Sequence, residues 1–126
     1  MALANHYLVF YDEDRRAIAW MVEDSYWSIY LYDGTPVAWA VDNAIYSYPG
    51  RYLGCIEDGW VWDRYGRAVM YTNEAEEAAD MATHTLPPPR AARKARPPLG
   101  PREARPPPVE RESVWAVESG EAFFRR

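Results

Sequence analysis

The sequence predicts an all-β fold, built from four repeated β-hairpins closing around a common axis. Three observations carry that expectation. Residues 29–39 (IYLYDGTPVAW) and 45–55 (IYSYPGRYLGC) lie sixteen positions apart. Both repeat an aromatic strand, a Gly-containing turn and an apolar-small-apolar strand, the pattern of a hairpin. The same unit recurs on either side, at 9–20 and 60–71. Finally, 16 of the 19 aromatic residues fall between Tyr7 and Tyr71. A region this short needs large buried rings, or self-association, to gain a sufficient core.

Taken in order, the first unit runs Val9-Phe10-Tyr11-Asp12, a turn 13–16, then Ala17-Ile18-Ala19-Trp20. A longer connector, 22–28, leads to the second unit, whose turn contains Asp33-Gly34. Asp42-Asn43 precedes the third unit, which turns at Pro49-Gly50, and Asp58-Gly59 precedes the fourth. These dipeptides supply the left-handed conformations that tight turns require. The fourth unit is Trp60-Val61-Trp62-Asp63, a turn 64–67, then Ala68-Val69-Met70-Tyr71. Counted this way, the outer units have turns two residues longer than the inner ones. Alternation places Val9/Tyr11, Tyr30/Tyr32, Tyr46/Tyr48 and Trp60/Trp62 on one face, and Ile18/Trp20, Val37/Trp39, Leu53/Cys55 and Val69/Tyr71 on another. Ala19, Ala38, Gly54 and Met70 then sit at one equivalent position, three of them small enough for backbones to approach the axis. The second strand of each hairpin is expected innermost.

After Tyr71, the stretch 72–82 (TNEAEEAADMA) reads as a short helix capped by Thr72 or Asn73. The division expected is a hairpin domain with this helix over 1–85, a linker over 86–112 and a terminal segment over 113–126. Nine of the eleven prolines lie in 87–108, interleaved with arginines. Such a tract forms neither helix nor sheet and is expected to be a disordered, extended linker. Trp115, Phe123 and Phe124 then restore hydrophobicity at the end of the chain. An aromatic patch behind a linker is expected to dock, on a partner protein, on a second copy or on its own domain.

Charge and composition narrow the function. Residues 1–85 carry 14 acidic and 5 basic side chains, residues 86–126 carry 9 basic and 5 acidic. An acidic body is a poor match for phosphate backbones, which demand clustered Lys and Arg. The opposite charge of the tail favours attraction to the body. Cys55 is the only cysteine, so no intrachain disulfide forms and a reducing cytoplasm is expected. The N-terminal run lacks the features of a signal peptide. No apolar stretch approaches the roughly 18–20 residues of a spanning helix, so no membrane partner is expected.

The units IYLYDGTPVAW, IYSYPGRYLG and DGWVWDRYGR, with SVW and FF near the end, resemble the four-fold β-flower proteins of bacteria. The resemblance covers 7–72 and, more loosely, 113–124. It implies four hairpin petals around a pseudo-four-fold axis, a variable linker and an aromatic terminus. It implies no catalytic residue. Cys55 departs from it, standing where a larger aromatic is expected. Tyr-Asp repeats of bacterial toxins and choline-binding repeats also alternate rings with Gly turns, but in longer arrays on exported chains.

Candidate chemistry is sparse. His6 and His84 have no ligand partners at metal spacing, and no metal or cofactor is expected. Cys55 has no nearby histidine and occupies a position that is Trp, Trp and Tyr in the other units, so it reads as a packing residue. Asp12, Asp33, Asp58 and Asp63 sit at turns, where aspartate bonds its own backbone. Ser25, Ser28 and Ser47 lack the context of a nucleophile elbow. Pro98-Leu99-Gly100-Pro101 matches the spacing of polyproline ligands, in a tract where such a match is nearly inevitable.

The one candidate ligand site is the ladder Tyr30, Tyr32, Tyr46, Tyr48, Trp60 and Trp62, with Arg51 beside it and Arg67 after the fourth turn. Accessible rings would stack a planar ligand, a base or a cation; otherwise the ladder is core. Three functions follow in order. The first is a non-enzymatic interaction module whose tail docks through Trp115, Phe123 and Phe124. A small-ligand binding or sequestering protein comes next. An enzyme with a site assembled across a homo-oligomer is third.

Overall fold

The structure is a computed structural model that describes residues 7–75 and 86–126. It is all-β: β1 (Leu8–Tyr11), β2 (Ala17–Asp24), β3 (Tyr26–Leu31), β4 (Pro36–Val41), β5 (Ala44–Tyr46), β6 (Tyr52–Glu57), β7 (Trp60–Asp63) and β8 (Ala68–Thr72). Each strand pairs antiparallel with the next, and β8 returns to β1 through Phe10↔Thr72 and Tyr11↔Tyr71. The sheet is therefore a closed barrel, which leaves no edge strand. All eight strands share one wall, so the second strands are not innermost.

At one end of the barrel, Ser25, Asp42-Asn43 and Asp58-Gly59 turn with positive φ. The expected connector 22–28 is not a loop. β2 and β3 stay paired to Asp24↔Tyr26, and only Ser25 turns. At the other end, all four turns are the same length, correcting the count made from the sequence. Each closes with the same two backbone bonds, as in Asp12 N to Arg16 O and Arg15 N to Asp12 O, or Asp63 N to Arg67 O and Gly66 N to Asp63 O. The carboxylates of Asp12, Asp33 and Asp63 accept from backbone amides within their turns, as expected.

The strict alternation of faces fails at one position per hairpin. Phe10 faces Ala19, but Tyr11 faces Ala17, leaving Ile18 as an extra residue. The same slip skips Val37, Leu53 and Val69. A bulge of this kind re-aims its extra residue. Ile18, Val37, Leu53 and Val69 accordingly pack with the interior, while Trp20, Trp39, Cys55 and Tyr71 stay outside. The interior is made of opposed pairs: Phe10 with Ala19, Ile29 with Ala38, Ile45 with Gly54, and Val61 with Met70. Small residues on one strand make room for large ones opposite.

They also make room for the tail. Phe123 and Phe124 sit in a 3₁₀ helix, Gly120–Arg125, and belong to the same interior cluster. Phe123 is fully buried, and a Cβ on Gly54 would press against its ring at 3.1 Å. Trp115 forms a bridge with Ala68, in the part of β8 beyond its pairing with β1, and its ring lies 5.7 Å from Trp60. The expected docking segment is thus a piece of this barrel: its rings are too apolar to stand in water beside an open barrel end.

The linker expectation is corrected as well. Residues 86–112 carry no helix or strand, as their prolines dictate, but they are not free. They form a strap along the barrel, held by amide donors from Ala91 to Tyr32, Lys94 to Gly34, Gly100 to Tyr48, Glu103 to Gly50 and Glu112 to Gly66. Proline removes donors from this segment, and five of the remaining amides find carbonyls on the turns. The helix expected over 72–82 lies largely outside the described residues. Thr72, its expected cap, ends β8 and donates its hydroxyl to Gly59 O at 2.8 Å.

Candidate functional site

The alternation that sends Phe10, Ile29, Ile45 and Val61 inward sends their neighbours out, and the ladder residues lie on that outer wall. Outer rings meet where one hairpin adjoins the next: Trp20 stacks on Tyr30 at 5.1 Å, Trp39 meets Tyr46 at 5.4 Å, and Tyr71 stacks on Tyr11 at 5.2 Å. The remaining junction pairs Cys55 with Trp62. Despite their outward position, Tyr30, Tyr46 and Tyr48 are only 2%, 4% and 5% exposed. Tyr32, Trp60 and Trp62 are half-buried.

The strap covers these rings with guanidinium groups. Arg93 lies 5.8 Å from the centroid of Tyr30, Arg102 5.8 Å from both Trp39 and Tyr46, and Arg111 5.3 Å from Trp62. Arg90 sits over Tyr7 and Trp20, and Arg96 over Tyr26. Cations over desolvated ring faces contribute about 0.5–2 kcal/mol each. Where Cys55 replaces a ring, Arg111 fills the gap, donating to its sulfur at 3.2 Å and pairing with Glu57 at 3.1 Å. Burial pushes the Cys55 thiol up, against the pull of Arg111 and Arg105. A thiol so held is a packing group, as the sequence indicates.

Burial also holds the phenols protonated. Tyr32 is pushed up to about 12, with Tyr7 and Tyr11 adding to the effect and Arg90 opposing it. Tyr48 and Tyr52 are raised too, again first by burial. The wall is therefore uncharged and aromatic, facing a cationic strap.

The strap repeats every nine residues, in register with the barrel. Arg93, Arg102 and Arg111 are nine apart, as are the pairs Pro88-Pro89, Pro97-Pro98 and Pro106-Pro107. Lys94, Glu103 and Glu112 donate to the carbonyls of Gly34, Gly50 and Gly66. A Cβ on any of these three glycines, all at positive φ, would overlap a strap carbonyl: that of Ala92, Pro101 or Glu110. The turns thus contribute close backbone approach as well as conformation. In the first turn Arg15, at φ 64, stands at the glycine position.

Residues 9–124 match the family described as 4-fold beta flower protein. The chain belongs to that family. No curated protein and no solved structure matches it.

Not every residue singled out in the sequence joins the wall of this beta flower. Arg51 and Arg67 instead line a cleft between the third and fourth turns, with Arg64, Tyr65, Glu118 and Arg126. The sequence pointed to neither that cleft nor the strap. The nine-residue period is visible in the tail, but only its register on the barrel gives it meaning. Among the described residues no cluster has the makings of a metal site; His6 and His84 lie outside them. No helix among them is long and apolar enough to cross a membrane.

Proposed function

We propose that this beta flower is a non-enzymatic interaction module whose outer wall recognises extended Pro/Arg-rich segments. Its barrel is four copies of one hairpin around a pseudo-four-fold axis, and among the described residues three of the four hold a nonapeptide of the chain's own tail. The observation that carries this reading is the registered contact repeated on three hairpins. At each, an amide of the strap meets a turn carbonyl, a turn glycine admits the strap backbone, and an arginine covers outer rings. That combination resembles the way proline-rich peptides dock on aromatic grooves, with specificity from alternate side chains. The wall is a recognition surface occupied in cis, and a strap of a second copy, or a like segment of another protein, is its ligand in trans. A cytoplasmic setting fits the free thiol of Cys55.

The test uses the full chain carrying Arg93→Ala, Arg102→Ala and Arg111→Ala, which loosens its own strap. A labelled peptide of residues 86–112 is expected to bind this variant saturably, and the wild-type chain far more weakly, because the tethered strap competes at high effective concentration. A scrambled peptide is expected not to bind. Equal binding of both peptides, or binding of neither, overturns the proposal. Light scattering of the wild-type chain across concentrations tests strap exchange between copies.

A second reading, small-ligand binding, moves away from the ladder, whose rings are covered, to the cleft beside Arg51.

A further inference from the structure

We infer that the cleft between the third and fourth turns is a binding site for small phosphate esters carrying a planar group. It measures about 290 Å³, at the small end of the ligand-pocket range. Its lining includes Arg51, Arg64, Arg67, Arg126, the ring of Tyr65 and Glu118.

Comparison of equivalent turns supplies the argument. In the first turn Arg16 is answered by Asp12 at 3.4 Å, and in the fourth Arg67 is answered by Asp63 at 3.3 Å. The third turn keeps the arginine, Arg51, and replaces the carboxylate with Ser47. The Ser47 hydroxyl accepts the backbone amide of Arg51 at 3.0 Å, so the turn's geometry survives and the neutralising charge does not. Among the described residues, the Arg51 guanidinium has no ion-pair partner. Next to it, the buried carboxylate of Asp63 is shared by two cations, Arg67 and Arg126, the latter at 3.1 Å. Arg64 is only loosely balanced by Glu103, at 3.8 Å. The Nε of Arg126 is buried with no hydrogen-bond acceptor. This corner is therefore short of negative charge in a chain whose net charge is −5.

A phosphate monoester supplies what is missing. Guanidinium groups bind phosphate oxygens through paired, charge-assisted hydrogen bonds. Tyr65 is 59% exposed with the Arg67 guanidinium 5.1 Å from its centroid, so a planar group stacks on the opposite face, at the rim. Glu118, the carboxylate of the cleft, accepts from hydroxyl or amino groups of the ligand and disfavours a polyanion that would crowd it. A mononucleotide combines these features; a sugar phosphate has the anion without the ring.

Calorimetric titration of the full chain at low salt provides the test, with AMP, ribose 5-phosphate and adenosine as probes. AMP is expected to bind saturably, ribose 5-phosphate several-fold more weakly and adenosine not at all. Arg51→Gln, an exposed change that keeps the backbone bond to Ser47, is expected to weaken AMP at least about tenfold. Arg16→Gln, in the first turn, is expected to leave it unchanged. Tyr65→Ala is expected to lower AMP to the level of ribose 5-phosphate. Absence of AMP binding up to about 10 mM, or equal binding by Arg51→Gln and the wild type, overturns the inference. Neither result bears on the strap's arginine–ring contacts, which lie on the outer wall, although Glu103 of the strap also reaches Arg64 at the cleft.

Discussion

Inside the barrel, the tail contributes Phe123 and Phe124 to a cluster of aliphatic side chains; outside, it contributes arginines and amides to a wall of rings. The inner contact is mainly apolar and buried, with Arg126 over the Phe123 ring as its one cation among the described residues. The outer contact is directional, with cations over ring faces, carboxylate partners for Arg93 and Arg111, and backbone bonds to turn carbonyls. Its strap residues are themselves mostly exposed. One continuous tail therefore makes a buried apolar contact and a more exposed, polar one. The difference teaches that a buried aromatic surface is not always core: here it is a surface with a lid of the chain's own sequence.

The sharpest break of this comparison is Phe123→Ala. Truncating a fully buried phenylalanine costs about 3–5 kcal/mol, a large part of a small domain's stability. Urea denaturation should show the barrel itself destabilised. A loss under about 1 kcal/mol would mean that the interior is complete without the tail.

Gly50→Ala should follow, at about 1–3 kcal/mol, because φ is +107° and the new methyl overlaps the carbonyl of Pro101. Hydrogen exchange localises the effect: the Glu103 amide should lose protection while that of Met21, inside the β2–β3 pairing, keeps it. Equal loss at both sites would merge the two regions into one cooperative unit.

Arg102→Ala should cost less, about 0.5–2 kcal/mol, through its contacts with Trp39 and Tyr46. Added salt should speed exchange at Gly100 and Glu103, because it weakens the strap's exposed ion pairs, without altering the cost of Phe123→Ala. A salt response of the interior would erase the distinction.

The smallest effect is on the basic side. Tyr32 has a folded value raised from 10.0 to about 12, so between these values the folded chain holds a proton that the unfolded chain has released. The associated stability is full below pH 10 and is lost as pH rises through about 12. Absorbance titration near 295 nm should show phenols ionising late in the wild type, and Tyr32→Phe should remove part of that late phase. Complete titration near pH 10 would show that burial does not hold the Tyr32 phenol protonated.

The chain's periodicity determined a good deal unaided. Hairpin units, turn dipeptides, turn-bonded aspartates and the small residues at one equivalent position are all local or short-range, and each leaves its mark within about a dozen residues. The sequence also carried the family resemblance. What it misassigned are matters of long-range partnership. Alternation put Ile18 and Trp20 on one face because a bulge is created by the partner strand's register and leaves no composition signal. Proline content excluded helix and sheet in 86–112, but it is the carbonyls of Gly34, Gly50 and Gly66 that hold the tract in place. Trp115, Phe123 and Phe124 read as a docking segment because they follow that tract, and the barrel end they fill exists only once eight strands have closed. The spare charge of Arg51 likewise depends on three dimensions: Ser47 could be seen in the sequence, but not that Arg64, Arg67 and Arg126 would gather beside it. Local propensity is encoded residue by residue, whereas the partner of a face or a charge is decided only by what the closed barrel brings next to it.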